Sequence, residues 1–364
     1  MEITTASTVQ KKLSAAIVGC GRIGTQTAES VRRESPNGYI PLNHAEAISS
    51  LPDLELVAVC DTDEARAQTA AAVYQVPRVF TDYRTMLQEI KPDILSIATR
   101  TAPRCEIIEY AASHGVKGIH AEKPFARSMA KCRRALQALT QHDVKLSYGA
   151  TRRCMDIYRQ ARKMVSDGCI GPLVNVTIEF GRSMLLWTHP HSIDLIQFFV
   201  GCDEVEYLAA SCDSLSGAWQ SQTLDEDPIV ENAFIKFTNG ISASVTIADG
   251  FNVRLSGRTG VLEVPANGIW IELDRQLSTT DPYQRERQKI VVEPLQSGTQ
   301  RAFSELASAV RDGHATGISA REIEQASAIL LGCAFSSLQG GRRISLAELP
   351  DDFLVTGRFG ELYA

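Results

Sequence analysis

The stretch that most constrains this chain is Ser14–Arg33, SAAIVGCGRIGTQTAESVRR. Ala15–Val18 is apolar and long enough for a buried strand. Gly19, Gly21 and Gly24 then spell G-x-G-x-x-G, and a helix-forming segment follows at once. In such a strand–turn–helix the first glycine permits the tight turn, the second lets the backbone approach a pyrophosphate, and the third lets helix pack closely on strand. The helix N-terminus adds free N–H groups and a partial positive charge for the phosphates. Gly19, Gly21, Arg22, Ile23 and Gly24 are therefore the expected dinucleotide contacts. A glycine-rich turn that binds nothing is the alternative, and the strand before and helix after argue against it.

Leu54–Cys60, LELVAVC, is a continuous β-branched run that ends at Asp61. A dinucleotide fold places an acidic side chain here, on the ribose hydroxyls. Asp61 falls later than the usual spacing of about 20 residues. The segment Ser35–Asp53, broken by Pro36, Gly38, Pro41 and Pro52 and holding a short helix His44–Leu51 capped by Asn43, accounts for the delay. Asp61 can also simply open a turn.

Strands and helices continue to alternate: helix Glu64–Tyr74, strand Arg78–Phe80, helix Tyr83–Ile90, strand Asp93–Thr99, helix Arg104–His114, strand Gly118–Ala121, helix Ser128–His142 and strand Lys145–Gly149. This pattern predicts right-handed crossovers and a parallel sheet, with ligands at the carboxyl ends of the strands. Gly19–Gly24, Asp61, Thr99-Arg100 and Glu122-Lys123-Pro124 all fall at such ends. Beyond Ala150 the alternation stops. Helices Met155–Asp167 and Pro190–Val200 precede or punctuate strands at Leu173–Arg182, Val205–Ser211, Val230–Phe237, Ser242–Ala248, Val261–Pro265 and Ile269–Leu273. Asn239-Gly240 and Asn267-Gly268 signal hairpins of the I′ type. Ser211–Asp227 is irregular, and Ser304–Asp312 and Arg321–Leu338 are closing helices. The expected fold is α/β: a Rossmann dinucleotide-binding domain over 1–150, then an α+β domain over 151–364 with a large, mostly antiparallel open sheet, serving substrate binding and oligomerisation.

Composition narrows the function classes. A chain of 364 residues suggests two domains. A net charge of −6 with no Lys/Arg run speaks against nucleic acid. No stretch approaches the roughly 18 apolar residues of a membrane span. Met1–Leu13 is polar, unlike a secretory leader. Nine dispersed cysteines, without C-x-x-C or zinc spacing, read as reduced buried thiols, so a cytoplasmic protein with no metal site is expected.

Several motifs in one order, AAIVGCGRIG, LVAVCD, DILSIAT, AEKPFARS, DGCIGPL, HSIDLIQFFVG, EDP before FIKFTNG, and SGRTGVLEV, resemble the glucose–fructose oxidoreductase/inositol dehydrogenase/rhizopine-catabolism (Gfo/Idh/MocA) family. The resemblance implies NAD-linked oxidation or reduction of a carbinol carbon on a sugar, inositol-like polyol or sugar acid, and often a homodimer or homotetramer. It implies that Lys123 and His191 handle the alcohol proton, with Thr99, Glu122 and Lys123 beside the cofactor. His191 is also a sensible base on local grounds. It lies in the first turn of a helix opened by Pro190, where the positive helix end favours a neutral ring.

Departures from the family pattern are specific. Trp187 stands where the family carries an aspartate one turn before the histidine, with Asp194 and His189 as substitute partners. Thr99-Arg100 replaces Thr-Pro, and Arg104 replaces a histidine. Arg100, Arg152 and Arg153 can bind a carboxylate or phosphate. Lys123, Arg152, Arg153, Trp187, His191 and Asp194 are thus the expected substrate contacts. A non-catalytic NAD-sensing regulator and an NADPH-dependent ketone or imine reductase stay open as alternatives, with NADP a less favoured cofactor than NAD.

Overall fold

A computed structural model describes residues 11–201, 204–213 and 222–357. The polar segment before Lys11 and residues 214–221 of the irregular stretch Ser211–Asp227 lie outside the described residues. The first half is a six-stranded parallel sheet. Its strands are β1 (Leu13–Val18), β2 (Leu54–Cys60), β3 (Arg78–Phe80), β4 (Ile94–Ile97), β5 (Gly118–Ala121) and β6 (Lys145–Tyr148). They are ordered β3-β2-β1-β4-β5-β6, so the order reverses beside β1. The central strands are buried on both faces, which is why they read as unbroken apolar runs.

The segment after the glycines departs from the sequence reading. Instead of one helix through Arg33 there are two pieces, α1 (Arg22–Thr25) and α2 (Glu29–Glu34). The next helix, α3 (His44–Ser49), is capped by Asn43 and packs against α1. Residues 26–43 are thus an excursion within the helical layer, and they explain the late arrival of Asp61. The remaining helices of this half are α4 (Glu64–Tyr74), α5 (Tyr83–Ile90), α6 (Thr101–Ser113) and α7 (Met129–Gln141).

After the short 3-10 turn Thr151–Cys154, α8 (Asp156–Ser166) leads into β7 (Leu173–Glu179), β8 (Ser183–Met184), α9 (His189–Val200), β9 (Val205–Asp213), β10 (Thr223–Leu224), β11 (Ile229–Phe237), β12 (Ser242–Thr246), β13 (Asn252–Gly257), β14 (Gly260–Val264), β15 (Ile271–Gln276) and β16 (Arg285–Ile290). The sheet runs β16-β15-β14-β13-β7-β12-β11-β8, with β9 also on β11. Only its β7–β12 pair is parallel among the described strands. Ala233, Ile235 and Phe237 of β11 and Val176 and Ile178 of β7 are buried with α9 and α11 (Ala320–Leu338), while Phe234 faces out.

Sequence reading missed two full strands, besides the two-residue pieces β8 and β10. β16, RERQKI, is an edge strand whose charges pair across to β15 through Arg275–Glu286 and Arg285–Asp274, so it lacks an apolar signature. β13 is the other. The Asn239-Gly240 turn also differs from the expected I′ form: only Gly240 has positive φ, at 86°, and its N–H donates to Phe237 O. α10 (Gly298–Asp312) starts earlier than predicted because Ser297 and Gln300 form a capping box. Phe303, Leu306 and Ala307 of α10 join the core beside β1 and β2, so a helix from the second half covers the first sheet.

Candidate active site

The three glycines separate by task in the structure. A Cβ on Gly19, at φ 100°, would lie 2.7 Å from the backbone of Ala98, and one on Gly24 would lie 2.0 Å from Gly19 O. Gly21 has nothing within 4 Å of that position. Two glycines are needed for packing and the middle one faces open space, the arrangement that lets a pyrophosphate approach the backbone. Asp61, at the end of β2, anchors this loop: its Oδ2 accepts from Cys20 N–H at 2.7 Å and its Oδ1 from Asp63 N–H at 2.9 Å. A carboxylate has lone pairs to spare for ribose hydroxyls as well. Arg22 is exposed and Ile23 half-buried on the first turn of α1. Thr99, two residues past β4, has a buried Oγ1 without a hydrogen-bond partner among the described residues, and its backbone lies beside Gly19 of the loop.

Lys123 follows β5. Its Nζ donates to Trp187 O at 2.6 Å and sits 4.3 Å from the centroid of the Trp187 ring. Burial pushes the amine down to about 8, with Glu122 opposing and Arg152 adding to the shift. Glu122 is itself buried. Despite that burial, the His44 hydrogen bond holds its carboxyl down at about 2. His44 Nε2 lies 3.2 Å from Glu122 Oε1, its Nδ1 lies 2.7 Å from Ser96 Oγ, and Glu122 Oε2 accepts from Lys123 N–H at 3.0 Å. A buried chain Ser96–His44–Glu122 therefore ends under the lysine. His120 stacks edge-on against His44; with Glu122 they place three ligand atoms within 4.8 Å. Hydrogen bonds account for His44 and Glu122 without an ion, and burial keeps His120 neutral, at about 3.

His191, in the first turn of α9, is held well below its ordinary value, first by burial and then by the charges of Arg152 and Lys123. It is a neutral base in the field of the lysine. Its buried Nδ1 has no hydrogen-bond partner among the described residues. Trp187 is 41% exposed, which places it at a surface and not in the core. Arg152, on the turn after β6, donates from Nε to Asn267 Oδ1 at 3.0 Å.

Residues 13–150 match the family described as "Oxidoreductase family, NAD-binding Rossmann fold" (GFO/IDH/MocA). By this match the domain over residues 13–150 belongs to the NAD-binding Rossmann part of the Gfo/Idh/MocA oxidoreductase family. An uncharacterized oxidoreductase of Bacillus subtilis is 26% identical over 212 residues, 55% of this chain and 57% of its own length. An inositol 2-dehydrogenase of Rhizobium meliloti is 33% identical over 141 residues, 39% of this chain and 42% of its own. The chain thus spans about half the length of the curated relatives it matches. Levoglucosan dehydrogenase, solved with NADH and levoglucosan, superposes with a TM-score of 0.75 at 16% identity over 94% of this chain and 100% of its own, a likeness of fold.

Against the Gfo/Idh/MocA pattern, the other candidates divide. Arg153 Nε donates to Asp194 Oδ2 at 3.0 Å and its Nη1 to Glu322 Oε1 at 2.9 Å, and both Arg153 and Asp194 are buried. These two side chains tie the turn after β6 to α9 and α11, and Asp194 is spent there and not on His191. Neither His189 nor Asp194 reaches the histidine: His189 Nδ1 lies 3.0 Å from Ser192 Oγ. Arg104, in the family's histidine position, is buried and donates to Pro124 O and Thr99 O, bracing the turn that carries Lys123. Arg100, after β4, occupies the N-cap position of α6 without a capping hydrogen bond from its side chain. His44 and Asn267 are the residues sequence reading missed. Only the helix cap before His44 and the Asn-Gly turn marked their places.

Proposed function

We propose that this chain is an NAD-dependent dehydrogenase that oxidises a carbinol carbon of a sugar, inositol-like polyol or sugar acid. Bound NAD would supply the hydride acceptor, held by Gly19–Gly24 and by Asp61. One observation carries the reading: a lysine lowered to about 8 and a neutral histidine share one electrostatic field at the strand end beside the glycine loop. The Lys123 ammonium, now on Trp187 O, would hydrogen-bond the substrate hydroxyl and favour its alkoxide. His191, neutral at pH 7, would take the proton. The buried Glu122 beneath Lys123 keeps a negative charge near the amine and so offsets part of its desolvation. Assembly as a homodimer or homotetramer through the outer face of the second sheet, where Phe234 is exposed, and a cytoplasmic location complete the reading.

A panel of sugars, inositols and sugar acids scored by NADH absorbance tests it, with Lys123→Ala as the control. The expected result is turnover that the variant loses. The regulator reading is favoured by one feature: among the described residues no carboxylate or other partner meets the Nδ1 of His191 to orient the ring. NAD binding by the wild type with no turnover across the panel would decide for the regulator.

A further inference from the structure

Arg152 acts on Lys123 and His191 through its charge, and the mechanism gives its N–H groups no partner. Its guanidinium lies 5.1 Å from the ring centroid of Phe180 and 5.8 Å from that of Tyr39. Tyr39 OH donates to the same Asn267 Oδ1 that accepts from Arg152, at 2.5 Å. Four segments surround it with neutral groups: the excursion 26–43, α8 with its buried Tyr158, the end of β7 and the β14–β15 turn. No carboxylate among the described residues forms an ion pair with it. Asp194, the carboxylate whose titration Arg152 influences, is spent on Arg153. Arg152 and Lys123 repel one another, and both act on His191. A guanidinium stays charged, and a half-buried one without a counter-ion is costly until an anion meets it.

We propose that Arg152 receives a carboxylate of the substrate, so that the compound oxidised is a sugar acid. The inference rests on the dehydrogenase reading above. With Nε occupied by Asn267, the two Nη groups offer one bidentate edge, which matches the two oxygens of a carboxylate. A phosphate dianion would call for further donors. Asn267 and Tyr39 are positioning residues, fixing the plane of the guanidinium.

The test pairs acids with neutral parents: D-glucuronate with D-glucose, D-galacturonate with D-galactose and D-gluconate with sorbitol, plus D-glucose 6-phosphate. Each is assayed for turnover with NAD, and for binding by calorimetry to the NADH-loaded protein. At least one acid should exceed its parent in kcat/KM and in affinity by roughly ten- to hundredfold, the usual worth of a charge-assisted pair. Arg152→Gln should bring that ratio close to one through KM on the acid, and Arg152→Lys should restore part of it. Asn267→Asp, which gives Arg152 an internal counter-ion, should abolish the acid preference with the melting temperature kept. Turnover of neutral parents with no acid preference overturns the carboxylate and leaves the dehydrogenase standing. Arg152-dependent binding of an acid without turnover upholds the carboxylate and overturns the dehydrogenase. Tighter binding of the sugar phosphate, or no acid binding better than its parent, overturns the inference.

Discussion

Arg152 and Arg153 are adjacent in the chain and lie in opposite surroundings. Arg153 is buried among its counter-ions, with Asp194 at 2.9 Å and Glu322 at 2.9 Å. Burial alone would lower its basicity, yet the two carboxylates raise it above the usual arginine value. Arg152 is half-buried among an amide and aromatic rings and pairs with no carboxylate among the described residues. On the function proposed above, the difference separates scaffold from site. A buried charge with its partners in place fixes helices relative to a strand end, and a charge lacking one is open to a ligand. Lys123 and His191 belong to the Arg152 side of that division.

The largest expected effect falls on the scaffold. Arg153→Met leaves Asp194 and Glu322 without their cation, and breaking a buried pair from one side costs about 3–5 kcal/mol. Chemical denaturation should show that loss. A loss below about 1 kcal/mol, the range of an exposed pair, would remove the distinction drawn between the two arginines. Lys123→Ala comes next and acts on the other side. It should lower kcat about a hundredfold or more while NAD affinity, which belongs to the glycine loop, stays close to wild type. Near-wild-type turnover would reject the lysine.

The division into scaffold and site was only partly legible in the sequence. The glycine loop, the strand ends and the parallel sheet follow from local patterns of spacing and periodicity, while the strand order does not. Arg152 and Arg153 are indistinguishable in sequence because their partners lie on Asn267, Asp194 and Glu322, far along the chain. His44 shows only a helix cap, since its partner Glu122 is 78 positions away. The broken helix after Gly24 was hidden because Gln26–Ala28 holds neither Gly nor Pro. Trp187 was placed by resemblance as a departure from the family, and its exposure decides between a cleft and a core position.

That exposure gives the third prediction. Trp187→Asp should cost the fold little, within about 1 kcal/mol, as surface changes usually do. It should raise KM several-fold by removing the ring over Lys123. In the wild type His191 is depressed, so it stays a base well below pH 6.5, and kcat/KM should hold there. Activity should fall as pH rises through about 8, where Lys123 loses its proton and can no longer donate to the alkoxide. A new carboxylate beside His191 favours the imidazolium and should move the acid limb upward. A collapsed melting transition in Trp187→Asp would return Trp187 to the scaffold side, and activity rising through pH 8 would make Lys123 a base and not a donor.

The last comparison concerns Asp61, where scaffold and site meet in one side chain. Its carboxylate holds the loop through Cys20 N–H and also stands where a ribose would lie. A 2′-phosphate brought there meets Asp61 and Asp63, while Arg66, the nearby cation, already faces Asp63 at 3.7 Å. Such repulsion is worth about 1–2 kcal/mol, or roughly tenfold in favour of NAD. Asp61→Asn separates the two tasks. The amide oxygen can still accept from Cys20 N–H, so the loop and the melting temperature should hold, while the charge is gone and the preference for NAD should shrink toward parity. Asp61→Ala removes both, and should weaken NAD and NADP together. If the wild type binds NADP as tightly as NAD, Asp61 serves the loop alone and falls on the scaffold side with Arg153.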